Sequence, residues 1–213
     1  VYICPNVMPR FGQLNIAPVQ QQIRELFLKR IIRAKGLSQA SSLIDGVVMP
    51  TPAAVLQAIR LLAQGCTTPE GELAGIGDLL AVDVGGATTD VYSAAGGMLQ
   101  QAAVVYKGLP EPYVKRTVEG DIGMRYSIHG IVQAVGLSQL AQRSGLVEAQ
   151  VEALIAQLAA HTEQLPGTDA QLLALDTALA EAAIEVAVNR HVGTIEEAYT
   201  LAGQIFVQNG KDL

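Results

Sequence analysis

The amino-acid sequence predicts an α/β fold, and three observations support this. Short apolar segments of strand length alternate with amphipathic helical segments over the first third of the chain. Two Gly-Gly pairs then separate short apolar runs between residues 79 and 106, a spacing typical of antiparallel strands. The rest of the chain is rich in Ala and Leu at helical spacing, and 50% of its 213 residues are hydrophobic, which is enough to bury a core.

The first third contains two predicted strands and two predicted helices. The strands are the short apolar runs Val1–Cys4 and Gly46–Met49. The first helix, Pro18–Lys35, has an apolar residue every three or four positions and is followed by a glycine stop signal. The second helix begins at Thr51, a residue type that caps helices, and ends at Gly65.

The segment Thr67–Asp78 follows these elements and lacks an apolar period. It contains Gly, Glu, Thr and Pro, which are typical of a connecting segment. We therefore expect a linker here and a domain boundary near residue 75, which divides the chain into residues 1–75 and 76–213.

Residues 79–93, with the sequence LLAVDVGGATTDVYS, form the most informative segment. Leu79–Val84 is a short apolar strand, and a second strand starts near Thr88. Between them, Gly85 and Gly86 allow a sharp turn that uses the positive φ angles open to glycine. The polar groups of this strand–turn–strand unit gather at its turn.

Those polar groups are suited to a phosphate and a metal ion. A glycine turn can offer unbonded N–H groups to an anion, and threonine hydroxyls can donate to phosphate oxygens. Carboxylates on both sides of the turn can hold a metal-bound water. The candidate phosphate ligands are Gly85, Gly86, Thr88 and Thr89, and the candidate carboxylates are Asp83 and Asp90. On residue types alone, an ordinary β-hairpin with a capped turn explains the segment equally well.

Further strands and helices follow this segment. Gly96 and Gly97 predict a second turn, and Met98–Tyr106 a third strand, so residues 79–106 should form an antiparallel meander. Four helices are then predicted, at about residues 124–135, 138–144, 146–160 and 168–190. The last of them is long and rich in Ala, and we expect it to cover the sheet.

The two ends of the sequence suggest a piece of a longer protein. The chain starts at Val1 without a methionine, and it ends in IFVQNGKDL, an apolar strand followed by an Asn-Gly turn. Because a hairpin turn requires a second strand, we expect further residues beyond this one.

A second informative segment, KGLPEPYVKRTVEGDIGMRY, covers residues 107–126. Prolines exclude a helix from its first half, and Glu119–Gly123 should lie at the start of the helix predicted near residue 124. Because helix N-termini favour anions, Gly120 and Gly123 are candidate contacts for a nucleotide phosphate. The residue types support equally well a simpler interpretation, in which Asp121 caps the helix and the glycines shape a loop.

Charge and hydropathy argue against nucleic-acid and membrane partners. The formal net charge is −6, aromatic residues are 4% of the chain, and Trp is absent, so neither a basic phosphate-binding surface nor a stacking platform is expected. No stretch approaches 18 uncharged apolar residues, and no signal peptide is recognisable. We therefore expect a cytoplasmic protein.

Cysteine and histidine spacing does not predict a metal site. Cys4 and Cys66 are far apart and form no CxxC pair, which fits thiols in a reducing compartment. His129, His161 and His191 are widely separated, and we expect each of them at the surface or at a helix end.

Several segments together resemble the MutL/GlmL family of accessory proteins for coenzyme-B12-dependent glutamate (methylaspartate) mutase and related aminomutases, a family unrelated to the mismatch-repair protein called MutL. The segments are VYICPNVMPRFG, VDVGGATTDVYS, KGLPEPYVKRTVEGDIGMRY and NRHVGTIEEAYT. The order Asp-x-Gly-Gly-x-Thr-Thr-Asp after an apolar strand also resembles the second phosphate loop of actin-like ATPases. Ala87 departs from that pattern, because the chaperone branch usually has a third glycine there.

The resemblance implies an actin-like (ribonuclease H-like) ATPase fold. Residues 1–75 would be the C-terminal part of a first α/β lobe, and residues 76–213 the start of a second lobe with a phosphate-binding meander and a helical insertion. The implied function is ATP-dependent reactivation of an adenosylcobalamin-dependent mutase, with ATP and Mg²⁺ as cofactors and the mutase subunits as partners. Asp83 and Asp90 would be the catalytic carboxylates, and Asp83 the metal ligand.

The same resemblance shows that the nucleotide cleft is incomplete in this sequence. Family members have a first phosphate loop near the N-terminus and a glycine-rich adenosine motif, and neither is present here. We therefore expect residues 1–213 alone to bind ATP weakly, because affinity requires several convergent contacts. Two alternatives to the reactivating function are a small-molecule kinase of the same superfamily and a non-catalytic module that docks through its helices.

Overall fold

The structure, a computed structural model, describes residues 1–34, 50–97, 103–109, 111–201 and 203–213. The described residues form six helices, eight strands and three small sheets, which confirms a mixed α/β fold. The chain divides into two compact units, Val1–Ala58 and Ile59–Leu213.

The secondary-structure elements have the following bounds. The helices are α1 (Ala17–Ala34), α2 (Thr51–Gln64), α3 (Ile128–Val135), α4 (Leu137–Ser144), α5 (Glu148–Ala160) and α6 (Ala170–His191). The strands are β1 (Gly65–Thr68), β2 (Gly71–Ala74), β3 (Leu79–Val84), β4 (Thr89–Ala94), β5 (Val104–Lys107), β6 (Val114–Glu119), β7 (Thr194–Thr200) and β8 (Gly203–Asn209).

The N-terminal unit confirms the predicted helix and corrects one strand. Helix α1 matches the prediction, although the expected last residue, Lys35, lies outside the described residues, as does the predicted strand Gly46–Met49. The predicted strand Val1–Cys4 is wrong, because these residues pair with no strand in the described part of the chain. An isolated apolar segment leaves its backbone groups without the ladder that makes a strand.

The predicted linker Thr67–Asp78 is also wrong, because most of it belongs to a β-hairpin. Strands β1 and β2 pair antiparallel, with Thr68 opposite Gly71. The Thr68 hydroxyl donates to the Gly71 carbonyl and accepts from the Glu70 N–H, which closes a tight turn. The Thr-Pro-Glu-Gly sequence is therefore turn chemistry within a hairpin.

The central sheet contains three antiparallel strands in the order β3-β4-β6. The third strand was predicted at Met98–Tyr106, and its place in this sheet is wrong. Residues 98–102 lie outside the described residues, and the strand that follows them, β5, pairs with β8 in another sheet. Strand β6 takes its place along β4. The charged residues of β6 obscured its strand pattern in the sequence. In the structure they have partners: Lys115 Nζ donates to Glu111, and Arg116 Nε donates to Asp90.

The four predicted downstream helices are present as α3 to α6. Helix α3 begins at Ile128, later than predicted, because the N–H groups of residues 124–126 bond to carbonyls of the β3–β4 connection. Helix α6 lies against β3, β4 and β6, as expected. Buried apolar residues of the helical region make a core that Val84 and Met124 also contact; its largest fully buried members are Ile122, Ile128, Ile131, Leu140, Leu158, Leu172, Leu175 and Leu179.

A third sheet, in the order β5-β8-β7, is formed near the end of the sequence. The predicted strand in IFVQNGKDL is confirmed as part of β8. It pairs antiparallel with β7 and parallel with β5.

Candidate functional site

The β3–β4 loop, Gly85–Thr88, joins two paired strands and presents the candidate ligands at one end of the central sheet. The pairing places Asp83 directly opposite Asp90. The Gly85 N–H donates to the Thr88 carbonyl at 2.9 Å. A Cβ atom at Gly85 would lie 2.7 Å from that carbonyl oxygen, so this position requires glycine.

The glycines of this loop do not serve the conformational purpose predicted for them. Neither Gly85 nor Gly86 has φ in the left-handed region, so the predicted positive φ angles are wrong. At Gly86 a Cβ would have no neighbour closer than 3.7 Å, and that neighbour is the Arg125 Cβ. A side chain at Gly86 would therefore meet ordinary van der Waals contacts, whereas Gly85 has no room for one and allows the turn to close.

The peptide groups of the loop have a consistent orientation. The Gly85 carbonyl accepts from the Met124 N–H at 3.0 Å, and the Gly86 carbonyl accepts from the N–H groups of Arg125 and Tyr126, both at 2.8 Å. In a trans peptide the N–H points opposite to the carbonyl. The following N–H groups therefore point away from residues 124–126.

Three N–H groups of the loop have no acceptor in the described part of the chain: those of Gly86, Ala87 and Thr88. The Thr88 hydroxyl likewise has no hydrogen bond to a described residue. Successive unbonded N–H groups form a concave donor set that can bind an anion. The Thr89 hydroxyl is different, because it is fully buried and donates to the Ile122 carbonyl at 3.0 Å. It thus fastens β4 to the segment that follows β6.

The two candidate carboxylates have different environments. Asp83 is exposed, and no described residue forms an ion pair with it. Asp90 is bound by Arg116, whose Nε lies 2.7 Å from Oδ1 and whose guanidinium lies 5.8 Å from the ring centroid of Tyr92. Like charges that face each other across a sheet are unfavourable, and Arg116 offsets this repulsion. Asp83 is therefore the carboxylate available to an external cation.

The structure brings the second informative segment against the loop, but in another form than predicted. A Cβ at Gly123 would lie 2.4 Å from the Ala87 carbonyl carbon, so glycine there permits close backbone packing. Gly120 is exposed, with no atom within 4 Å of its Cβ position. The predicted helix start at Glu119–Gly123 is wrong, since α3 begins at Ile128. A phosphate contact by Gly120 or Gly123 stays a prediction.

Asp121 does not cap a helix, which corrects the simpler interpretation of this segment. The residue before α3 is Ser127. The Asp121 carboxylate instead accepts from Arg190 Nη1 at 2.8 Å, and the same nitrogen also donates to Glu119 at 2.8 Å. The hydrogen bond from Arg190 lowers the pKa of Asp121. These contacts attach the segment to the C-terminal end of α6.

A buried polar network lies under the end of α6, and sequence reasoning missed it. His191 is at a helix end, as predicted, yet it is fully buried, with Nε2 2.8 Å from Ser93 Oγ and Nδ1 2.7 Å from Thr117 Oγ1. Burial, with a smaller contribution from the Lys115 charge, lowers the pKa of His191 to about 4. Ser93 is also fully buried, so this pair is closed to a substrate. The alternation of polar residues along β4 and β6 was the available signal.

Metal-binding clusters and membrane-spanning helices are absent from the described residues. No three His, Cys, Asp or Glu side chains come together as a metal-binding group among them. None of the described helices combines the length and the apolar composition needed to span a bilayer.

Comparisons with known proteins cover the whole sequence. A family model described as MutL protein matches residues 1–213. The chain is 46% identical over 211 residues to Protein MutL of Clostridium tetanomorphum, and the similarity covers 99% of this chain and 45% of that relative. The chain thus spans less than half the length of this curated relative. No solved structure matches the chain.

Proposed function

Because the chain belongs to the MutL family, which is associated with glutamate mutase, we propose that it is part of an ATP-dependent accessory protein that reactivates an adenosylcobalamin-dependent glutamate mutase or a related aminomutase. Mutase subunits are the proposed partners. The family supports the choice of partner, and the β3–β4 loop supports the use of a nucleotide.

The observation that carries the nucleotide proposal is the set of unbonded N–H groups at Gly86, Ala87 and Thr88. A hairpin turn without a ligand usually satisfies its own N–H groups or caps them with a side chain. Here the carbonyls are held by residues 124–126, while the donors remain available. Because Gly86 has no side chain, a phosphate can approach its N–H group closely. The loop therefore fits a phosphate of ATP.

The carboxylates fit Mg²⁺ better than a metal that needs a full set of protein ligands. Mg²⁺ commonly binds one or two carboxylates and completes its shell with waters and substrate phosphates. Asp83 is exposed beside the donor loop and would bind the ion, while Asp90, held by Arg116, would orient a water. Bound Mg²⁺ would neutralise charge on the phosphates.

We also propose an actin-like fold for the complete protein. The antiparallel sheet β3-β4-β6, with the donor loop between its first two strands, supports this proposal, because a meander of this kind opens the second lobe in that superfamily. Residues 1–75 and 76–213 would then be parts of the first and second lobes. The missing first phosphate loop and adenosine motif would come from other parts of the complete protein.

The test is an ATPase and reactivation assay of the complete protein. We expect ATP hydrolysis that rises when inactivated mutase is added, and recovery of mutase activity only when ATP and Mg²⁺ are present. Phosphorylation of a sugar or an organic acid would instead indicate the kinase. Binding to the mutase without any hydrolysis would indicate a docking module and would refute the proposal.

A further inference from the structure

Arg125 joins the β3–β4 loop to the helical region through both its backbone and its side chain. Its N–H donates to the Gly86 carbonyl at 2.8 Å. At the other end of the residue, guanidinium Nη2 donates to Asp176 Oδ2 at 2.7 Å and to the Gln164 carbonyl at 3.2 Å. Asp176 is on α6, and Gln164 precedes that helix. A residue that contacts the loop is therefore attached to two segments that are distant in the sequence.

The Arg125–Asp176 ion pair is largely shielded from solvent. Its two side chains are 10% and 13% exposed, whereas those of the Arg143–Glu185 pair, which joins α4 to α6, are 24% and 52% exposed. The attraction within a buried ion pair offsets the cost of desolvation only when the remaining polar atoms also have partners. Asp176 Oδ1 has none: it is buried and accepts no hydrogen bond in the described part of the chain. Stability alone therefore does not explain a charged pair here, since an apolar pair of similar volume would serve it at least as well.

The guanidinium fixes the segment that holds the loop. Arg125 Nη1 donates to the Met124 carbonyl at 2.8 Å. The N–H of Met124 in turn donates to the Gly85 carbonyl at 3.0 Å. A guanidinium is a planar fork of donors, so acceptors on several segments hold it in one orientation. Because the loop carbonyls accept from this segment, the unbonded N–H groups of the loop point to the opposite side, and their direction depends on how the segment is held.

From this geometry we propose that Arg125 is a positioning residue of the phosphate site, which acts through the loop backbone and does not itself contact the ligand. Its guanidinium, held by Asp176, keeps residues 124–126 in the arrangement that orients the loop N–H groups toward a phosphate. The inference rests on the proposed nucleotide binding. It extends the site from the loop to α6, through a side chain on the face opposite to the donors.

The experiment compares Arg125→Met, Asp176→Leu and the double variant with wild type in the complete protein. Stability is measured by urea denaturation without ligand, and the affinity for Mg-ATP by calorimetry. Each single variant should lower the midpoint of denaturation, because it leaves the other charge buried without its partner. The double variant should recover the midpoint, because an apolar pair replaces the ion pair. Its affinity for Mg-ATP should nevertheless stay about 10-fold below that of wild type, because the loop donors are no longer preorganised.

Two control variants separate positioning from stability. Arg143→Met removes the guanidinium of the other pair on α6 and should leave the affinity for Mg-ATP unchanged, since Arg143 is bound to Glu185. Leu140→Ala opens a cavity in the core of the helical region and should lower the midpoint without changing the affinity of the folded protein. Leu140→Ala thus measures what a loss of stability alone does to binding.

Three results would overturn the inference. If the double variant binds Mg-ATP as tightly as wild type does, Arg125 and Asp176 only stabilise the fold, and the phosphate site stands without them. If the double variant and Leu140→Ala lose affinity to the same extent, the loss follows from stability. If wild type does not bind Mg-ATP, the proposed nucleotide function itself fails, and this inference fails with it.

Discussion

The β3–β4 loop and the segment from Glu119 to Tyr126 have similar residue types but different environments. Both combine glycines with an acidic residue. At the loop, a Cβ on Gly86 would meet only ordinary contacts, and Asp83, near the end of β3, is exposed. In the second segment, Gly123 is buried against the Ala87 backbone, and Asp121 is bound by Arg190.

The comparison shows that one residue pattern can serve two purposes in adjacent segments. Glycine either leaves space for a ligand or allows two backbones to touch, and only the neighbouring atoms distinguish the two. Here the second segment holds the carbonyls of the first through Met124 and Arg125. The supporting segment therefore fixes the orientation of the donor loop, and substitutions in the two regions should have separable effects.

The largest effect is expected from Asp83→Ala in the complete protein. If Asp83 is the carboxylate that binds Mg²⁺, ATP hydrolysis and mutase reactivation should fall by about 100-fold or more. Stability should change by no more than about 0.5 kcal/mol, because the side chain is exposed. Asp121→Ala is the matched control: it should retain hydrolysis and lower stability slightly. Equal hydrolysis by wild type and Asp83→Ala would mean that the two acidic residues do not differ in role.

Gly123→Ala should have the largest effect on stability. The added methyl would lie 2.4 Å from the Ala87 carbonyl carbon, and backbone cannot give way as a flexible side chain can. Overpacking of this kind should lower the free energy of unfolding by about 1–3 kcal/mol. Chemical denaturation measures it. Gly120→Ala is the control, since its Cβ position is open and its φ is not left-handed, and it should unfold like wild type.

Gly86→Ala should weaken nucleotide binding and leave stability almost unchanged, the reverse of Gly123→Ala. Its methyl meets only ordinary contacts at 3.7 Å or more, so stability without ligand should change by no more than about 0.5 kcal/mol. The methyl would lie next to the Gly86 N–H, one of the donors proposed for phosphate, and the affinity for Mg-ATP should fall about 10-fold. Thermal melting with and without Mg-ATP separates these effects, because a ligand of the native state raises the melting temperature. A full ATP-induced increase in the variant would contradict the phosphate site.

The sequence was sufficient to predict the helices and strands in which apolar residues recur at a regular spacing. Helix α6 and strands β3 and β4 are found where their patterns predict them, and the turn between the strands is correctly assigned to Gly85 and Gly86. Strand β6 was missed because Lys115 and Arg116 interrupt its apolar character. Those charges are balanced by Glu111, which is four positions before Lys115, and by Asp90, which only the fold brings near.

The candidate site was predictable as a list of residues but not as an arrangement. Spacing identified the glycines and carboxylates beside the turn. It did not show that Thr89 uses its hydroxyl internally, because the acceptor on Ile122 is 33 positions away. It also did not show that residues 124–126 bond to the loop carbonyls in place of starting a helix. Both are long-range contacts, which local propensity does not encode.

The smallest expected effect concerns His191, whose network lies under α6 and should influence stability but not the donor loop. Its pKa is about 4 in the folded chain because it is buried, against an ordinary value of 6.5. As pH falls below 6.5 the unfolded state gains a proton that the folded state does not, so stability should decrease progressively down to about pH 4. This linkage predicts a loss of about 1 kcal/mol at pH 6 and almost no loss above pH 7.

Urea denaturation of wild type and His191→Gln between pH 7.5 and 5 measures this loss of stability. The variant should be less stable at neutral pH but should lack this part of the pH dependence. If the stability of His191→Gln has the same pH dependence as that of wild type, another group accounts for it, and protonation of the buried histidine does not.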